Sequence, residues 1–198
     1  MSSDVKLRVL ILTSSTGGGH DMRARSLKDW FSREKDPQVQ VTIHQTLEKT
    51  HKLYHFGVGL YNWIQKRFPA LHHIYFNYLE AAGMCSTKRR ILGADRFIKI
   101  LDESRPHIII SVHGTLNHGF FDLARDFLGK ENVVCVTYCG ELSGGYGFSK
   151  HWVNPKIDLF IGATKDICEP AVSMGINKRK TWQGGFILRS KFFEIIPD

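Results

Sequence analysis

The chain reads as a Rossmann-like α/β sandwich, a parallel sheet flanked by helices. Three observations predict it. Short runs rich in β-branched residues recur along the chain, stretches with helical spacing of apolar residues separate them, and a glycine-rich turn joins the first run to the first helix. Leu7–Thr13 is a nearly continuous apolar run, as expected of a strand covered on both faces. Asp21–Lys35 places Ala24, Leu27 and Phe31 at helical spacing and is followed by Pro37. Val39, Val41 and Ile43 alternate as a second strand. Ile108–Val112, Val133–Thr137 and Leu159–Ala163 are three further buried runs, with helices predicted at Leu116–Leu128 and at Lys165–Met174, which Gly175 ends.

Residues 50–104 break this rhythm and are too long for one crossover helix. They carry one aromatic piece (Tyr54, Phe56, Tyr61, Trp63, Phe68), a break at Pro69, and a second piece (Tyr75, Phe76, Tyr78). Two basic clusters flank them, Lys66-Arg67 and Lys88-Arg89-Arg90. Aromatic rings with polar tips partition to membrane interfaces, and Lys and Arg attract anionic headgroups. The same aromatics could equally pack an ordinary helical subdomain. His51 and His55 would share a helix face, but without the glutamate of a zinc-hydrolase motif or a third ligand they do not make a metal site.

Length and composition narrow the function classes. The 198 residues are 42% apolar and 23% charged, which fits one globular domain able to bury its own core. No apolar run is long enough to span a bilayer as a helix, and Met1-Ser2-Ser3-Asp4 does not begin a signal peptide. Cys85, Cys135, Cys139 and Cys168 form no CxxC pair and read as free thiols of a reducing compartment. The formal charge is +8, and all of the excess falls in residues 1–99, with 16 Lys and Arg against 8 Asp and Glu. Such a one-sided basic surface favours an anionic partner. Nucleic acid has only this charge behind it and no recognisable binding module.

The stretch Ser14-Ser15-Thr16-Gly17-Gly18-Gly19-His20 carries the most chemical information. Consecutive glycines let backbone approach a ligand, and the following helix N-terminus offers unpaired N–H groups to phosphate or a developing oxyanion. It is not a dinucleotide fingerprint, since Met22 stands where the third glycine belongs, nor a Walker A loop, since no Gly-Lys-Ser/Thr follows. His20, at the carboxyl edge of a parallel sheet, stands where it could take a proton from a hydroxyl nucleophile. On sequence alone it could equally cap the first helix.

Residues 9–31, VLILTSSTGGGHDMRARSLKDWF, resemble the opening of the monogalactosyldiacylglycerol synthase family, which includes the processive diacylglycerol glucosyltransferases. The loop is similar, more remotely, to that of the glycosyltransferase completing the lipid-linked murein precursor. Further blocks follow in the family's order: Tyr61-Asn62-Trp63, Phe68-Pro69, Tyr75; the strand Pro106–His113, with His107 in place of an aspartate; His151-Trp152, Pro155, Asp158 and Gly175; and Gly184–Arg189. Two further blocks depart from the pattern. Thr137-Tyr138 replaces a Thr-Asp pair, unless Glu141 restores the carboxylate, and Ile187 replaces a proline.

The resemblance implies the N-terminal, acceptor-binding half of a two-domain GT-B glycosyltransferase. Residues 1–185 would form the Rossmann-like acceptor domain, with the helical aromatic and basic insertion at 50–104. Residues 186–198 would begin the interdomain linker, and the donor-binding domain is absent. The implied reaction is hexose transfer from a nucleotide sugar, a UDP-sugar, to a membrane lipid such as diacylglycerol, with no cofactor and no metal. His20 would be the general base, Gly17, Gly18, Gly19 and His113 the acceptor- or phosphate-binding group. Trp63, Lys66, Arg67, Lys88, Arg89 and Arg90 would meet an anionic membrane, making the protein cytoplasmic and peripherally membrane-associated. A non-catalytic lipid-binding module, or the acceptor subunit of a split glycosyltransferase with a separate donor-binding chain, is the alternative.

Overall fold

The computed structural model describes residues 7–33, 39–71, 85–143 and 148–193, with Ile74, Asn77, Tyr78, Ala81 and Gly83 between them. Its centre is a six-stranded parallel sheet: β1 (Leu7–Thr13), β2 (Val39–Gln45), β3 (Ile108–Ser111), β4 (Val134–Cys139), β5 (Leu159–Gly162) and β6 (Thr181–Gln183), in the order β2-β1-β3-β4-β5-β6. The register pairs Val9 with Val41 on one side and with Ile108 on the other. The apolar runs thus form the central strands because both of their faces are covered. Leu10, Leu12, Ile109, Cys135 and Phe160 build the core on one face, while Val9, Ile11, Ile110, Val136 and Tyr138 build the other.

The helices divide unevenly over these two faces. Helix α1 (Gly19–Arg33) covers the second core through Ala24, Leu27 and Phe31. It includes the predicted spacing, while Lys35 and Pro37 lie outside the described residues. Helices α2 (Thr46–Thr50), α3 (Lys52–Arg67), α4 (Ala94–Ser104), α5 (Gly119–Leu128) and α6 (Lys165–Ser173) follow. Among the residues of the first core are Leu47, Tyr54, Phe97, Phe120 and Ile167 from these five helices. Helix α4 is the crossover helix that returns the chain to β3, so the predicted insertion at 50–104 contains that crossover at its end.

Two elements differ from expectation. The helix predicted from Leu116 begins only at Gly119, after a 3-10 turn at Gly114–Leu116. Between them Asn117 is buried and donates to the His151 carbonyl, and the Gly119 N–H bonds the Cys85 carbonyl. A Cβ on Gly119 would stand 2.6 Å from the Thr87 carbonyl, so the close approach of this segment requires glycine. Strand β6 was not expected. Its Trp182 and Gln183 are exposed at the sheet edge, so no apolar run marks it. Cys85, Cys135 and Cys139 are buried free thiols, as read from sequence, and Cys168 is free but half-buried.

Candidate functional site

Between β1 and β3 the strand order reverses: from β1 the chain moves outward to β2, then crosses back to β3 on the other side. In open parallel sheets, ligands bind beyond the carboxyl ends of the strands at such a switch point. The glycine loop follows β1 and His113 follows β3, so both lie there.

The loop's conformation comes from its glycines. Gly17 and Gly18 have φ of +62° and +75°, values that L side chains rarely adopt. A Cβ on Gly18 or Gly19 would meet nothing within 4 Å, so this side of the loop is open, whereas Gly17 faces the Gln65 amide at 3.4 Å. The serine half of the loop is tied down. One carboxylate oxygen of Glu48 accepts from the Ser15 N–H at 2.6 Å, the Ser15 hydroxyl at 2.8 Å and the Ser14 hydroxyl at 3.2 Å.

His20 is the second residue of α1, half-buried, and its ring does not cap that helix. Nδ1 lies 2.7 Å from the Val112 carbonyl. A carbonyl can only accept, so Nδ1 carries the proton and Nε2 keeps its lone pair. Burial, then the Arg23 guanidinium, lowers the imidazole below its ordinary value of 6.5, partly opposed by the Val112 bond, Glu141 and Asp21. Arg23 in turn donates to the Gly140 carbonyl at 2.7 Å and pairs with Glu141 at 3.0 Å. Glu141 therefore brings a carboxylate to this edge, while Tyr138 turns inward and holds the Gly185 carbonyl and the Ile187 N–H.

The His113 ring sits 4.3 Å from that of His20, centre to centre, and the Trp152 ring lies 6.0 Å from it. The Thr115 N–H donates to His113 Nδ1, so Nε2 carries the proton and bonds Thr16 Oγ1 at 2.8 Å. Both ring nitrogens are engaged within the protein, and burial holds the ring well below its ordinary pKa. His113 is thus bonded to Thr115 and to Thr16 of the loop, and its ring packs on that of His20.

The residues predicted to meet a membrane are not gathered in one place. Trp63, Lys66 and Arg67 lie on the exposed side of α3 and at its end. Lys88, Arg89 and Arg90 form a 3-10 turn near the other end of that helix, where the Arg90 carbonyl and the Leu92 N–H both meet the Tyr54 hydroxyl. The Lys88 ammonium is paired with Asp126. Tyr75 and Phe76 lie outside the described residues. Sequence reasoning gave no role to Glu48 or Arg23, and named Asn62 only as part of the Tyr61-Asn62-Trp63 block. Glu48 and Asn62 reach the loop, and Arg23 reaches Glu141, across long stretches of chain, and no local spacing marks such a contact.

A consequence for stability follows from the buried histidines. His44, buried at the end of β2, is held at about 4 by burial and then by the Lys49 charge. His20, His113 and His118 are lowered as well. Below pH 6.5 the unfolded chain binds protons that the folded chain refuses, so stability falls as pH drops from 6.5 toward 4. His44 alone accounts for about 3 kcal/mol of that loss. Urea unfolding across this range should show the decline, with a shallower slope in His44→Gln. A flat profile would mean these rings are solvated in the folded state.

Comparison with known proteins gives a consistent picture. The family model of monogalactosyldiacylglycerol synthase matches residues 20–186. A chloroplastic monogalactosyldiacylglycerol synthase of Spinacia oleracea is 25% identical over 191 residues, covering 93% of this chain and 35% of its own. A probable enzyme of the same name from Glycine max is 26% identical, with 93% and 35% covered. A processive diacylglycerol beta-glucosyltransferase of Staphylococcus saprophyticus is 21% identical over 187 residues, with 93% and 45% covered. The chain thus spans less than half the length of these relatives.

Proposed function

Because this chain belongs to the monogalactosyldiacylglycerol synthase family, we propose that it is the acceptor-binding half of a glycosyltransferase passing a hexose from a nucleotide sugar to diacylglycerol at a membrane surface. The observation that carries the reading is His20, held at Nδ1 by the Val112 carbonyl with Nε2 unprotonated, directly after Gly18 and Gly19, whose outer side is open. In this reading Nε2 takes the proton of the lipid hydroxyl as its oxygen attacks the anomeric carbon. The bond from that carbon to the nucleotide diphosphate breaks, and the diphosphate leaves with the electron pair. Glu141 and Asp21 offset the positive charge that the imidazole gains, against the opposing Arg23. The backbone N–H groups at the start of α1 favour negative charge near the loop. His113 and Thr16 keep ring and loop in place.

The membrane side of the proposal rests on α3. Tyr54 and Val58 are buried, whereas Leu53, Phe56 and Trp63 are 62%, 68% and 53% exposed and share one helical face with the half-buried Leu60. Lys52, Lys66 and Arg67 are exposed along and beyond this stripe. An apolar stripe rimmed by cations suits an anionic bilayer surface, which we take as its occupant. Among the described residues no helix is long and apolar enough to cross a membrane.

We place the nucleotide-sugar site outside these 198 residues, because the relatives are more than twice as long. Calorimetric titration of this chain with UDP-glucose and UDP-galactose should then show no saturation up to about 1 mM, the weak end of useful affinity. Tight stoichiometric binding would put the donor site here and overturn the assignment of this chain to the acceptor side.

A further inference from the structure

Resting on the membrane reading above, we infer that Asn62 is a positioning residue that couples docking of α3 on a bilayer to the order of the glycine loop. The Asn62 side-chain carbonyl accepts the Gly17 N–H at 2.8 Å, and its amide donates to the Ser15 carbonyl at 3.1 Å. One side chain therefore grips the loop at two points, two residues apart. The next residue along α3 is Trp63, on the exposed apolar stripe. The other grip comes from Glu48 on α2, which holds Ser14 and Ser15.

Helices α2 and α3 are separated by a single residue, His51, which ends one and whose ring accepts from the Leu53 N–H at the start of the other. Both grips on the loop thus belong to one continuous helical elbow, and that elbow carries the apolar stripe. Asn62 lies where a displacement of α3 is passed to backbone: Gly17 and Gly18 sit in left-handed conformations, and Gly18 and Gly19 have no neighbouring atoms to restrain them on their open side. Immobilising α3 against a bilayer restrains Asn62, and through it the peptide units leading to His20. The catalytic loop is ordered where the lipid acceptor is, and looser in solution.

Hydrogen exchange tests this. The full chain is compared free and bound to vesicles of phosphatidylglycerol and phosphatidylcholine without diacylglycerol, so that no acceptor in the site supplies the protection. In the wild type, vesicles should slow exchange at the Gly18–His20 amides by roughly 10- to 30-fold, the scale of two net hydrogen bonds. The Asn62→Ala variant should bind the same vesicles within about twofold of wild type yet lose that vesicle-dependent increment. Asn62→Asp keeps an acceptor for the Gly17 N–H and loses the donor to Ser15, so it should retain an intermediate increment.

A purely structural role for Asn62 would loosen the loop equally with and without vesicles, leaving the increment intact, and that result overturns the coupling. Wild-type binding without any change at Gly18–His20 also overturns it, while leaving the membrane reading in place. Absence of vesicle binding by the wild type removes the membrane reading and the coupling together. Circular dichroism of Asn62→Ala and Asn62→Asp guards against unfolding, and a fold lost in Asn62→Ala alone leaves the graded Asn62→Asp result to decide.

Discussion

In the assembly that transfers sugar, replacing His20 by alanine should lower turnover by roughly 100- to 10,000-fold, the range a positioned general base contributes. An alcohol is a poor nucleophile at neutral pH, and among the described residues no other imidazole near the loop is placed to replace this one. His113 has both nitrogens bonded within the protein. The ring of His20 is half-buried, bonded to Val112 and packed on His113, so the alanine variant should also lose about 1 kcal/mol of stability. His20→Asn separates the two effects, because it restores a donor toward the Val112 carbonyl without a base. It should fold more like the wild type and transfer as poorly as His20→Ala. Because burial and Arg23 lower this imidazole below 6.5, its neutral, base-competent form dominates at pH 7. The acid limb of the rate profile should fall below pH 6.5. Near-normal transfer by His20→Ala would return the residue to a packing role.

The central strands were legible because each is an apolar, β-branched run with both faces covered, and nothing else in this chain looks like that. Strand β1 was read to the residue. Strand β6 was not, because an edge strand of three residues between a basic turn and two glycines has no pattern to show. Periodicity alone left α3 ambiguous. Its apolar side chains are split between a buried face, with Tyr54 and Val58, and an exposed face, with Phe56 and Trp63. Sequence places these residues on a helix, and only the neighbours of that helix decide which face is covered.

The site shows the same division. Glycines next to a histidine after a strand are a local signal, and they led directly to the switch point of the sheet. What holds them is not local. Glu48 reaches Ser15 across 33 residues, Asn62 reaches Gly17 across 45, and Arg23 reaches Glu141 across 118. Such pairs depend on the sheet order β2-β1-β3-β4, which brings the ends of β1, β3 and β4 together. The carboxylate lacking at Tyr138 illustrates this. In the sequence Glu141 is the one residue offered to restore it; in the fold its carboxylate meets Arg23 beside His20.

Substituting Leu53, Phe56 and Trp63 together by serine should abolish most binding to anionic vesicles without lowering the thermal midpoint. Fully burying one such side chain is worth roughly 1.5–3 kcal/mol, and each of these is half to two-thirds exposed before docking. The three together therefore supply about 3–5 kcal/mol on insertion, which corresponds to a loss of roughly 100- to 5,000-fold in partitioning. The fold does not depend on them, since Tyr54 and Val58 on the opposite face provide the packing of α3. The cations act differently. Each Lys or Arg near an anionic surface adds about 1 kcal/mol, and that part fades as salt shortens the screening length. Lys66→Gln with Arg67→Gln should weaken binding strongly in low salt and little in high salt. Neutralising Lys88, Arg89 and Arg90 as well should weaken it further, but Lys88→Gln alone should matter less, because that ammonium already faces Asp126. Co-sedimentation with vesicles of graded phosphatidylglycerol content measures all of these. Wild-type binding by the triple serine variant would show that the stripe does not meet the bilayer, and equal binding to neutral vesicles at every salt concentration would remove the electrostatic contribution.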